Sequence, residues 1–160
     1  LDEERKGGAI LKEILESEVK DHCQFLLIGV SNKINDPKVK SLGFVKDELT
    51  LRIAYHAADV LLHPAQVDNL PNTVAESMSC GTPVLALNTG GLPEMVIPNK
   101  TGWLVEEMNS SAMIKRLKSV VQSKQANELR QSTKETARML FNEEKVANGY
   151  FKAFEQALSK

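Results

Sequence analysis

Long apolar runs, a cysteine framework and an excess of either charge are all missing from this 160-residue chain. Each absence excludes a class of protein. No stretch approaches the ~20 apolar residues that a membrane-spanning helix requires. No signal peptide is visible. The chain opens on Leu1-Asp2-Glu3-Glu4 without an initiator Met, as one beginning inside a longer protein would. Its two cysteines, Cys23 and Cys80, have no metal-ligand spacing and are expected to be buried free thiols in a reducing compartment. A net charge of -1 argues against a nucleic-acid partner and shows no acidic tail for a basic one. No Gly-x-Gly-x-x-Gly follows a first strand, which speaks against a dinucleotide-binding domain. Repeats, low-complexity segments and glycine-rich linkers are absent too, so residues 1–160 are expected to form one domain.

What is present alternates between helix and strand. A helical stripe of Ile10, Leu11, Ile14, Leu15 and Val19 spans Gly7 to Val19. Plain apolar runs predict buried parallel strands near 24–30, 41–45, 59–63, 82–87 and 102–105. Asp47 is placed to cap a helix reaching about Ala58, and Asn72 to Ser79 reads as a short helix stopped by Gly81 and Pro83. From Ser110 onward the pattern is helical, ending in a helix over Asn142 to Leu158 with Asn142 as its cap. The expected fold is α/β: a Rossmann-like, three-layer parallel sheet with helices on both faces and further helices at the C-terminus. Ligands bind such sheets at the carboxyl ends of the strands.

The densest cluster of polar and glycine residues follows the strand ending at His63. Asp68 falls on a loop at that edge, and Glu76 on the helix after it. Carboxylates there suit a hydroxyl-bearing ligand. The free amides of Asn72, Thr73 and Val74 would favour an anion, and Gly90 and Gly91 would let the backbone approach a ligand closely. Structural explanations stand beside these. Thr73 and Glu76 have the spacing of a capping box, Asp68 suits an ordinary loop, and a lone His63 at a strand end is more often structural.

The residues Asp68, Glu76, Ser79-Cys80-Gly81-Thr82-Pro83-Val84 and Gly90-Gly91-Leu92-Pro93-Glu94 resemble the donor signature of retaining GT-B glycosyltransferases. That large family includes many bacterial polysaccharide enzymes. Its pattern sets seven residues between two acids, as between Asp68 and Glu76, and the likeness runs roughly from Arg5 to Val105. The resemblance implies that this chain is the C-terminal, donor-binding half of a GT-B fold, with an N-terminal acceptor domain outside it. Glu76 would hold the nucleotide ribose and Asp68 the donor sugar. Asp68 departs from the family, which has Glu followed by Gly-Phe-Gly where this chain has Asp68-Asn69-Leu70-Pro71.

Arg5-Lys6-Gly7 resembles the family's basic diphosphate site, with Lys6 on the Lys position and Arg5 as a neighbour. A solvated helix start is the structural alternative. Asn72, Thr73, Gly90, Gly91 and Glu94 are expected around the sugar and distal phosphate. Gly29 with Val30, and Phe44 with Val45, would flank the base, although Phe44 and Val45 fit a plain core equally well. By resemblance the donor is a nucleoside-diphosphate sugar, no cofactor or bound metal is needed, and the acceptor is a saccharide or lipid-linked sugar reached through the other domain. The expected location is cytoplasmic, with peripheral contact at the inner face of a membrane. The family's last helices often reach toward the other domain, which would leave part of the Tyr150, Phe151 and Phe154 stripe exposed here. A central strand that precedes Arg5 in the family would be missing, leaving a gap or rearrangement mid-sheet. Competing readings are another GT-B enzyme, such as an epimerase or phosphorylase, and a non-catalytic binding module.

Overall fold

In the computed structural model, which describes residues 4–29, 34–123 and 125–159, all strand pairings are parallel. The strands are β1 (Phe25–Leu27), β2 (Val39–Ser41), β3 (Leu61–His63), β4 (Val84–Leu87) and β5 (Gly102–Val105). Helices α1 (Gly8–Glu16), α2 (Glu48–Ala57), α3 (Asn72–Ser79), α4 (Leu92–Met95), α5 (Ser110–Ser123), α6 (Gln125–Leu140) and α7 (Glu143–Leu158) connect and follow them.

The strands form two sheets, β1-β2 and β3-β4-β5, with no ladder joining β1 to β3 among the described residues. The break falls mid-order, where the resemblance implies a missing strand. Packing still bridges it on one face. Phe25 of β1 and Leu62 of β3 both rest on the cluster that contains Ile10 and Ile14 of α1.

β4 explains the layering. Its four side chains are wholly buried and alternate between faces. Leu85 and Leu87 pack under α1 and α5 with Trp103 and Val105. Val84 and Ala86 pack on the other face with Val74 and Met78 of α3, Leu92 and Met95 of α4, and Ala137 of α6. A strand buried on both faces has no polar side to present, hence the uninterrupted apolar run Val84–Leu87.

Local chemistry moved several boundaries. The expected helix over 7–19 stops at Glu16 because Ser17 turns extended and its hydroxyl takes the Ile14 carbonyl at 2.7 Å. Val19 is buried all the same, on a 3-10 turn over Glu18–His22. β2 lies at 39–41 rather than 41–45. Asp36 accepts the Lys38 amide at 2.8 Å and starts the strand early, and Gly43, at φ 64°, ends it. Asp47 caps α2 through the Thr50 amide at 2.8 Å, and Asn142 caps α7 through the Lys145 amide at 2.9 Å. α7 carries no buried residue: Val146, Tyr150, Phe151, Phe154 and Leu158 are all exposed. Both cysteines are half-buried free thiols, and burial pushes each up. No described helix is long and apolar enough to cross a membrane.

Candidate functional site

The loop after β3 is held from two sides by backbone. Residue 7 sits so close that a Cβ there would stand 1.9 Å from the Pro64 carbonyl oxygen, and its φ is 74°. Only glycine fits. The Arg5 carbonyl beside it accepts the Gln66 amide at 3.0 Å. On the other side, a Cβ on Gly90 would meet the Asp68 carbonyl oxygen at 1.9 Å, and one on Gly91 the Asn69 carbonyl oxygen at 2.0 Å. The Thr89 hydroxyl donates to the Gln66 carbonyl at 2.9 Å. The close approach at Gly90-Gly91, expected toward a ligand, is made to this chain's own acid loop.

Clamped so, the loop brings Asp68 to Lys6. The ammonium donates to Asp68 Oδ2 at 2.7 Å, across 62 positions of sequence. His63 Nε2 lies 3.6 Å from the same oxygen, too far for a hydrogen bond, and is buried without a partner. Burial pushes Asp68 up, but the Lys6 ammonium, His63 and the Asn69 amide outweigh it and hold the carboxyl below its ordinary value. His63 is pushed down, by burial first, with Lys6 adding to it against the pull of Asp68. A neutral imidazole beside Asp68 makes no ion pair.

Glu76 belongs to a second cluster. Its Oε2 accepts the Tyr55 hydroxyl at 3.0 Å. The capping-box alternative fails on geometry: the N-cap of α3 is Pro71, which puts Thr73 and Glu76 inside the helix. Val74 is corrected as well. Its amide is not free, since it bonds the Pro71 carbonyl at 3.0 Å. The Asn72 and Thr73 amides, at the exposed start of α3, make no hydrogen bond among the described residues.

Of the other expected positions, Arg5 is exposed beside Lys6, and Glu94 is exposed on α4. Phe44 is 75% exposed, which removes the core alternative for it, while Val45 is half-buried. Gly29 donates to the Gly43 carbonyl at 2.7 Å, tying the ends of β1 and β2 together. Val30 lies outside the described residues. No hydrogen bond or ion pair among the described residues joins Gly29, Phe44 or Val45 to the Lys6–Asp68 cluster. No group of three His, Cys, Asp or Glu among them is arranged to hold a metal.

Sequence reading missed Tyr55. The signal was its place beside Ala54 on the inward face of α2, since a tyrosine drawn into a core needs a partner for its hydroxyl.

Over residues 30–139 the chain matches the family described as glycosyl transferases group 1. It is 39% identical over 91 residues to a GDP-mannose-dependent alpha-mannosyltransferase of Mycolicibacterium smegmatis, covering 54% of this chain and 24% of that protein. It superposes on the sucrose-phosphate synthase of Thermosynechococcus elongatus with a TM-score of 0.80 at 26% identity, covering 98% of this chain and 43% of that one. With the Anabaena protein HepE, solved in complex with UDP, the TM-score is 0.73 at 19% identity, covering 93% and 46%, a likeness of fold. The chain spans about a quarter or less of the length of the curated relatives it matches.

Proposed function

We propose that this chain, which belongs to the group 1 glycosyl transferases, holds the nucleoside-diphosphate-sugar donor of a retaining hexosyltransferase above the carboxyl ends of β3 and β4. The convergence of Lys6 on Asp68 carries this reading. A cation fixed beside a carboxylate suits a substrate whose anionic leaving group adjoins a hydroxyl-rich ring. The HepE complex with UDP supports a nucleotide in this fold.

In the transfer, the bond from the anomeric carbon to the phosphate oxygen breaks and the electron pair leaves with the diphosphate. Lys6, with Arg5 beside it, neutralises that charge. The open Asn72 and Thr73 amides at the start of α3 face the distal phosphate or the sugar. Asp68 accepts from sugar hydroxyls, and Glu76 from the ribose. The acceptor hydroxyl attacks from the face the diphosphate leaves, and the departing phosphate oxygen takes its proton. Configuration is thereby retained without a protein nucleophile. A second domain supplies a saccharide or lipid-linked acceptor, with the whole enzyme in the cytoplasm and in peripheral contact with the membrane. The reaction is read as metal-independent, so chelation should leave the rate unchanged.

Calorimetry on the full-length protein, with UDP, GDP and ADP sugars, tests the reading. Glu76→Ala is expected to weaken the preferred nucleotide by about tenfold, the scale of a hydrogen bond to a charged group. Unchanged affinity would reduce Glu76 to a tie between α2 and α3.

A further inference from the structure

Glu76 is exposed, yet its partner is not. Tyr55 is only 8% exposed, and its hydroxyl is the group that reaches the carboxylate, at 3.0 Å from Oε2. The last turn of α2, which carries Tyr55, is held at several points. The Tyr55 carbonyl accepts the hydroxyl of the fully buried Thr82 at 2.5 Å. The Arg130 guanidinium forks onto the His56 and Ala58 carbonyls at 2.7 and 2.9 Å. The His56 ring nitrogen Nδ1 lies 3.3 Å from the Cys80 carbonyl oxygen at the end of α3. The phenol is therefore a fixed donor, whereas a glutamate on an open helix face would otherwise sample several rotamers.

A phenol has one proton to give, and it points to one carboxylate oxygen. Burial, then the hydrogen bond and charge of Glu76, push the Tyr55 hydroxyl well above its ordinary value, so it stays a donor. A carboxylate has about four acceptor positions. One is taken by Tyr55, which leaves Oε1 and the second lone pair of Oε2 for two neighbouring hydroxyls. We propose that Tyr55 is a positioning residue of the nucleotide site: its hydroxyl sets the Glu76 carboxylate in the orientation that receives the 2′- and 3′-hydroxyls of the nucleotide ribose. This rests on the reading of Glu76 as the ribose ligand.

The test separates the two ideas. Binding of UDP and GDP to the intact protein is compared with binding of 2′,3′-dideoxy-UDP and 2′,3′-dideoxy-GDP, for wild type, Tyr55→Phe, Glu76→Ala and the double variant. Phenylalanine keeps the ring packing and removes only the donor. Tyr55→Phe is expected to weaken the preferred ribonucleotide roughly three- to tenfold, the range of a single hydrogen bond, while the 2′,3′-dideoxy affinity moves less than about twofold. The double variant should be no weaker than Glu76→Ala, because Tyr55 acts through that carboxylate. Equal loss for both sugars would make Tyr55 a structural tie and overturn the proposal. No change in Tyr55→Phe alongside a ribose-selective loss in Glu76→Ala would overturn it while leaving Glu76 as ligand. No ribose-selective loss in Glu76→Ala would overturn both.

Discussion

Lys6 is half-exposed in its bond to Asp68, so the pair itself adds little to stability. Its interest is that the ammonium is already aimed at the acid loop. Lys6→Ala should weaken UDP or GDP about tenfold or more and the matching monophosphate far less, because the lost contact is to the distal phosphate. Comparing the two ligands by calorimetry checks this. His63 yields a pH prediction. Its value in the fold is depressed from 6.5, so the unfolded chain binds the proton more readily. Its stabilising contribution is therefore full above 6.5 and lost as pH falls toward the depressed value. His63→Gln should flatten the fall in Tm between about pH 7 and pH 5.5 relative to wild type, as thermal melts across that range would show.

The elements around the loop act as spacers. Gly91 has an ordinary φ of -89°, so its requirement comes wholly from the Asn69 carbonyl lying where a Cβ would stand. Gly91→Ala must push the acid loop away from α4, at a cost of about 1–3 kcal/mol by the usual scale of overpacking. Denaturant melts should register that loss, and UDP affinity should fall with it, since the loop carries Asp68. The Gly90-Gly91-Leu92-Pro93-Glu94 pattern is legible in the sequence. Its physical task was not legible there, because the groups that fill the space around Gly90 and Gly91 lie some twenty residues earlier in the chain. Helix ends show the opposite case: Asp47 and Asn142 cap their helices through amides three residues on, and such contacts are written in adjacent residues.

For the molecule as a whole, burial is concentrated in β4 and its two apolar faces, and is least in α7. Leu85 and Trp103 are within 1% of full burial, whereas α7 buries nothing. Amide hydrogen exchange should show α7 opening on the order of a hundredfold faster, or more, than β4. Comparable protection in both would mean that the Tyr150–Phe154 face is covered in solution. Two surface hollows lie along α7 and between α1 and residues 34–39, and neither is lined by Lys6, Asp68 or Glu76.

By itself, the sequence determined the alternation of strands and helices, the caps, and the acid and glycine positions that identify the family. Those properties rest on periodicity and on contacts between near neighbours. Tertiary structure alone decided which groups meet. Lys6 finds Asp68 across 62 residues, and Tyr55 finds Glu76 across 21. It also decided how the expected mid-sheet gap is realised: among the described residues the strands divide into two ladders, β1-β2 and β3-β4-β5, since strand pairing depends on which edges lie side by side and not on how apolar each strand is.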